Sequence, residues 1–252
     1  MEGGFPNNDF RVGAIIQVRN DSKRLPGKAL LNLPFISDVS FLGRIILSLK
    51  EFSFLDEIVV STSSRQTDDI IANESKYYNA KVFRGDKNNV LKRYFETAKK
   101  FNLDYIFRVT GDNPFVFENF YYNIFVDHIN KNCKYSTYLN LPLGLNVELI
   151  SFSALEHSFF NAFKSNDKEH VTSYIKKNFE ESYIYYYDFN SPFNFGDLRL
   201  TVDYPNDYLL VDFVYQLIYF NKIEYSFESV LQLFNDYPWL KSVNNFNKQV
   251  SP

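Results

Sequence analysis

The stretch Arg19-Asn20-Asp21-Ser22-Lys23-Arg24-Leu25-Pro26-Gly27-Lys28 packs four cations into ten positions. It follows directly on residues 11–18, a short apolar run rich in β-branched residues that reads as a buried strand. A triphosphate asks for this combination: several positive groups, and backbone N–H donors in a turn that lets the anion come close. Gly27 permits the close approach and Pro26 stiffens the turn. Composition alone describes a solvated basic loop equally well; the position at the carboxyl end of a first strand decides for anion binding. The glycine spacing is not that of a P-loop.

Two acids sit at comparable places. Thr110-Gly111-Asp112-Asn113-Pro114 closes a predicted strand over 105–109, and Leu200-Thr201-Val202-Asp203-Tyr204-Pro205-Asn206-Asp207 closes one over 199–202. An acid at a strand end can reach a metal held by bound phosphate, and Mg²⁺ takes one or two protein carboxylates together with phosphate oxygens. Gly, Asp, Asn and Pro are also ordinary turn formers. Asn206 or Asp207 is placed to cap the helix that follows, a role that Asp203 does not need to fill.

The elements that position these residues alternate through the first half. Helical spacing marks 38–50, with Asp38 as N-cap, then 67–78, opening on Asp68 and Asp69, and 88–101. Short strands are expected at 58–61, 81–83 and 105–109. This alternation predicts an α/β fold, a doubly wound, mostly parallel sheet with helices on both faces. Ligands bind beyond the carboxyl ends of such strands, so the loops after the first and fourth strands are the places of interest. The second half is less regular: strands at 145–150, 183–189 and 199–202, and helices from a Ser153/Glu156 capping box to 163 and at 168–178, 206–220 and 227–234. No linker, repeat or low-complexity segment interrupts the chain, so one continuous domain is expected.

Composition sets the outer bounds. A chain of 252 residues buries a core without disulfides. Lys and Arg number 27 against 30 Asp and Glu, a net −3 that excludes a nucleic-acid binder driven by bulk positive charge. A single cysteine, Cys133, excludes a disulfide framework and fits a reducing compartment. No stretch reaches the roughly 20 apolar residues of a membrane span. Residues 1–10 carry Glu2 and Asp9 without an apolar run, so no secretory leader is expected and the cytoplasm is the expected location. The 27 Phe and 19 Tyr, beside abundant Asn, Lys and Ile, reflect AT-rich codons rather than an aromatic binding surface. His128 and His157 fall on predicted helices and are read as surface residues, and Cys133 as structural.

The ordered motifs resemble a family. Residues 19–28 look like the RxxSxRLPGK signature of the cytidylyltransferases that activate acidic sugars, among them the 3-deoxy-manno-octulosonate and acylneuraminate enzymes. The branch named after the spore coat polysaccharide biosynthesis protein SpsF is most similar. The likeness continues through 56–62, Val82-Phe83-Arg84-Gly85-Asp86, Val90-Leu91-Lys92-Arg93-Tyr94, 108–114, Gly144-Leu145-Asn146-Val147-Glu148, Glu169-His170-Val171-Thr172 and 198–205. It implies a nucleotide-diphospho-sugar transferase-like, Rossmann-type single domain over 11–252 after an extension at 1–10. The nucleotide half is about 11–115, and the acceptor and dimerisation half about 116–252.

The resemblance also implies roles. Arg19 and Lys28 match triphosphate-binding cations, and Ser22 and Arg24 share their loop. Gln17, Arg84 and Thr110 are expected beside the nucleotide, and Asp112 and Asp203 are the expected Mg²⁺ ligands. Arg93, Asn146, Glu148, Glu169 and His170 are expected at the acceptor. Asn88 and Asn89 stand where this branch more often has acids, and Asn146 where it often has Asp, which removes negative charge near the implied acceptor pocket. The expected activity is Mg²⁺-dependent transfer of CMP from CTP to a hydroxyl or phosphate of a small sugar-like acceptor, with release of pyrophosphate, for surface glycans such as capsule or lipopolysaccharide. The expected partners are CTP, the acceptor and a second copy of the chain in a homodimer, with neither nucleic acid nor membrane. Two alternatives are a sugar-1-phosphate nucleotidyltransferase using UTP or dTTP, and an inactive nucleotide-binding scaffold. The first usually begins with a glycine-rich loop that Ile16-Gln17-Val18-Arg19 lacks, and retention of Arg19, Lys28, Asp112 and Asp203 together disfavours the second.

Overall fold

Apolar β-branched runs and amphipathic stretches follow one another as β1 (Val12–Gln17), α1 (Phe41–Lys50), β2 (Glu57–Ser63), α2 (Asp69–Tyr77), β3 (Lys81–Gly85), α3 (Val90–Lys100) and β4 (Tyr105–Thr110). The second half adds α4 (Glu118–Asn130), β5 (Tyr135–Leu139), β6 (Glu148–Ser151), α5 (Phe152–Asn161), α6 (Ser165–Glu169), α7 (Ser173–Asn178), β7 (Ile184–Asp188), α8 (Pro205–Phe220) and α9 (Phe227–Asp236). The computed structural model describes residues 10–189 and 198–247. The expected extension at 1–10 lies outside the described residues apart from Phe10. Among the described residues no helix is long and apolar enough to cross a membrane.

The strands form one seven-stranded sheet in the order β3-β2-β1-β4-β6-β5-β7. Strands β1 to β4 pair in parallel, β6 runs antiparallel between β4 and β5, and β7 pairs in parallel with β5. The sheet is therefore α/β and mostly parallel, as expected. Alternate residues feed two cores. Ala14 and Ile16 of β1, with Phe107 and Val109 of β4, join α1, α4, α8 and α9, whereas Ile15 and Ile106 face α3, α5 and α7. Because the chain moves from β1 out to β3 and then returns to β4, the strand order reverses between β1 and β4. Gln17 and Thr110 are register partners there, so the two loops open on one crevice.

Several boundaries differ from expectation, each for a local reason. α1 is capped by Ser40, whose Oγ accepts from Gly43 N at 2.9 Å; Asp38 lies in a small antiparallel loop closed by Leu33 N on Val39 O at 2.7 Å. α5 is capped by Ser151 at the end of β6, two residues before the expected Ser153. The helix expected over 168–178 is two helices, because extended backbone at His170 sends Val171 into the core. Residues 199–202 form no strand but an isolated bridge to Leu143. They cross the end of the sheet, held by Leu200 N on Leu143 O at 2.7 Å and Val202 N on Asp112 O at 2.8 Å. Gly144 makes this crossing possible. It has φ +106° and meets the backbone of Thr201 where a Cβ would stand at 2.3 Å. His128 is buried, not exposed: its Nδ1 lies 2.7 Å from Ser136 Oγ, and burial pushes its pKa down to about 3. His157 is exposed.

Candidate active site

The loop after β1 closes on a 3-10 turn at Lys28–Leu30, and Gly27 enters it at φ +70°. That turn buries Lys28 and aims its ammonium inward. Nζ donates to Val202 O at 2.6 Å, meets Asp112 Oδ1 at 2.5 Å and lies 3.9 Å from Asp203 Oδ1. Arg24 donates to Asp203 Oδ1 at 2.6 Å while its guanidinium lies over the Tyr204 ring. Arg19 donates to Lys87 O at 3.2 Å in the turn after β3. These groups surround a cavity of 720 Å³ whose walls include Gln17, Arg19, Ser22, Arg24 and Lys28. Asp112 and Asp203 line it too, although Asp203 reaches it from a crossing segment rather than from a sheet strand.

A second cavity, of 780 Å³, adjoins the first. Thr110, Asn146, Glu148 and His170 line it, with Arg108 of β4 and Lys176 of α7. The two cavities have Arg24, Asp112, His170 and Asp203 in common. The floor of the second is a charge cluster. Glu148 accepts from Arg108, from Tyr135 Oη at 2.5 Å, from Lys176 Nζ at 2.9 Å and from Thr172 Oγ1 at 3.0 Å. Burial opposes its ionisation, but the Arg108 guanidinium and then Lys176 outweigh it and hold the carboxyl well below the usual range.

Three of the expected residues line neither cavity. Arg84 donates from Nε to Ser63 O at 3.1 Å and from Nη2 to Arg65 O at 2.6 Å, and pairs with Asp69. Arg93 is fully buried, and its Nη1 donates to Asp86 O at 2.6 Å in the same turn that Arg19 holds at Lys87 O. Glu169 is exposed at the end of α6. Of the asparagines, Asn89 caps α3 by accepting from Lys92 N at 2.9 Å, Asn88 lines the first cavity and Asn146 the second. Sequence reasoning missed Arg108, Thr172 and Lys176, and the depth of Asp207 and Arg199. Arg108 and Thr172 stand inside recognised motifs. Lys176 carries no signal, since a lysine on an amphipathic helix reads as a solvated one.

The donor set suits Mg²⁺. Two carboxylates approach one buried ammonium, so a positive centre is already accommodated between them. Among the described residues no third His, Cys, Asp or Glu joins to make a full protein cage. Two protein carboxylates with room for phosphate oxygens is how this hard ion is ordinarily held.

A mostly parallel sheet with a cation-rich loop after its first strand, acids converging from two other segments and a second pocket alongside is the architecture of a nucleotidyltransferase. The chain belongs to the cytidylyltransferase family: the family model described as cytidylyltransferase matches residues 13–234. It is 30% identical over 242 residues to an uncharacterized protein of Methanocaldococcus jannaschii, covering 96% of this chain and 98% of that one. It is 31% identical over 207 residues to the spore coat polysaccharide biosynthesis protein SpsF of Bacillus subtilis, covering 80% and 85%. A solved cytidylyltransferase from Leptospira borgpetersenii superposes with a TM-score of 0.83 at 26% identity, over 96% of this chain and 100% of that one.

Proposed function

We propose that this cytidylyltransferase moves CMP from CTP to a small sugar-like acceptor, with Mg²⁺ as cofactor, in the synthesis of a surface glycan. The observation that carries the reading is the pair of adjoining cavities that meet at Arg24, Asp112, His170 and Asp203. A group transferred from one ligand to another has to pass such a junction. In this reading Arg19, Arg24 and Lys28 hold the triphosphate in the first cavity, with Gln17 and Ser22 beside it. Asn146 and His170 face the acceptor in the second. Glu148 acts there through Arg108 and Lys176, which it orients. An acceptor oxygen, hydroxyl or phosphate, attacks the α-phosphorus; the bond to the β-phosphate breaks, and pyrophosphate leaves carrying the bonding electrons. Such chemistry depends on positioning and charge neutralisation, and the cations of the loop supply both. Asp112 and Asp203 would hold Mg²⁺, whose contribution is to neutralise phosphate charge.

The glycan role draws on the SpsF relative, whose name places that protein in spore coat polysaccharide biosynthesis. The lone free cysteine suits a cytoplasmic location. This reading expects a homodimer contact within 116–252, and the exposed Leu209 and Phe213 of α8 support it. The test is pyrophosphate release across the four nucleoside triphosphates with a panel of sugar and sugar-phosphate acceptors. Release with CTP that requires both an acceptor and Mg²⁺ is expected. Equal turnover with UTP would refute the assignment of the base.

A further inference from the structure

We propose that Asp207 is a positioning residue for the transfer site, and that Asn244 and Asn247, far along the chain, help it to set the orientation of Asp203. The proposal rests on Asp203 being a Mg²⁺ ligand, as read above. Asp207 sits in the first turn of α8, where a cap needs one or two hydrogen bonds. Its fully buried carboxylate accepts six. Oδ2 takes the backbone N–H of Asp203 and of Tyr204, each at 3.0 Å, and Arg199 Nη2 at 3.2 Å. Oδ1 takes Arg199 Nε at 3.0 Å and the Nδ2 of Asn244 and of Asn247, each at 2.8 Å. The second N–H of Asn244 donates to Arg199 O at 3.0 Å, which ties its segment to the crossing segment.

The consequence lies in how Arg199 is shared. Its Nη2 also donates to Asp203 Oδ2 at 2.8 Å, so one buried guanidinium bridges two acids. Asp203 is left with Oδ1 turned toward Arg24 and Lys28 on the cavity wall. A planar guanidinium prefers a bidentate grip on a carboxylate, and a buried one needs a counter-charge. Without the charge of Asp207, Arg199 would close on both oxygens of Asp203 and withdraw that carboxylate from the cavity. Asp207 keeps Arg199 divided, and the two asparagines keep Asp207 facing Arg199.

The experiment is calorimetric binding of CTP to the full chain, in Mg²⁺ and in EDTA. The readout is the ratio of the two affinities. A purely structural loosening weakens both and leaves the ratio alone. For Asp207→Asn the ratio should shrink about tenfold, the lower end of what outer-shell partners cost in metal affinity, and for the Asn244→Ala/Asn247→Ala pair by a few-fold. The asparagine pair decides the matter if Asp207→Asn does not fold. Wild-type ratios in the variants that fold would overturn the proposal while leaving the functional reading intact, provided Asp203→Asn abolishes the Mg²⁺ gain. If Asp203→Asn keeps that gain, its metal role fails and this proposal fails with it.

Discussion

Replacing Glu148 by Gln keeps the side chain's shape and removes the charge on which four donors converge. The variant leaves the Arg108 guanidinium beside an amide instead of a carboxylate, at a residue only 7% exposed. Breaking a buried pair by deleting one partner costs about 3–5 kcal/mol. Lys176 is 41% exposed, so water screens its share and the loss comes mainly from Arg108, which places it near the lower bound. The sign with pH follows from the depressed carboxyl. Its contribution is fully present above the ordinary glutamate value of 4.5 and is lost as pH falls below it toward the folded value. Urea unfolding of wild type and Glu148→Gln should therefore differ by about 3 kcal/mol at pH 7, with a gap that narrows on acidification below that value. Adding Arg108→Met should cost less than the sum of the single changes, because the uncompensated charge is gone. A loss under about 1 kcal/mol at pH 7, typical of a surface pair, or a gap unchanged by acid, would refute the reasoning.

Lys28→Met should weaken CTP binding by about thirtyfold or more in calorimetry, since it deletes a buried cation paired with two acids; unchanged affinity would remove Lys28 from the triphosphate site. Asp112→Asn and Asp203→Asn should each lower turnover on the order of a hundredfold, read as pyrophosphate release against Mg²⁺ concentration. The double variant should lose less than the product, because both act through one ion. His128 is buried neutral with its pKa lowered to about 3, so wild type should lose about 2 kcal/mol between pH 7 and 5 as the unfolded chain takes up a proton there. His128→Gln should flatten that slope in urea titrations, and an equally steep slope would assign the acid sensitivity elsewhere.

The first half of the fold is legible because local pattern and tertiary role agree. Residues 11–18 and 105–109 read as strands since parallel strands buried on both faces are continuous apolar runs. In the second half β6 and β7 overlap the strands expected at 145–150 and 183–189, whereas β5 has no expected counterpart because it carries polar residues inside. β5 buries Ser136 and Thr137, one against His128 and the other on Val147 O at 2.8 Å, and no alternation or apolar run announces it. The same partnering explains His128, whose burial depends on a hydroxyl eight positions away that only the fold brings close. For the site, the cation loop was legible because ten consecutive residues carry it. The floor of the second cavity was not, because Arg108, Tyr135, Glu148, Thr172 and Lys176 come from four separate elements and the α6–α7 turn. Asp203 lines the cavity for another reason than the expected one. It reaches the crevice through a segment that Gly144 admits across the sheet end, not as the terminus of a strand.

The interleaving of charge in this site has an energetic reason. Lys28 and Arg199 are buried cations, at 7% and 4% exposure, and would be costly without counter-charges. Asp112, Asp203 and Asp207 provide them, and Arg24 closes on the oxygen of Asp203 that Arg199 leaves. On the proposed reading, an arriving triphosphate competes with Asp112 and Asp203 for Lys28 and Arg24. Each carboxylate so released faces phosphate oxygens of its own sign. Asp112 and Asp203 would hold a divalent cation there, which would supply the charge that offsets both repulsions, while the triphosphate would neutralise the Lys28 ammonium. Together with the metal, the triphosphate would bring about half the negative charge it brings alone. Asp207 stands outside this exchange. Arg199 Nη2 ties it to Asp203 Oδ2, but its other hydrogen bonds come from Arg199 Nε, two asparagine side chains and two backbone amides, so it can hold its geometry while the partners of Asp112 and Asp203 change.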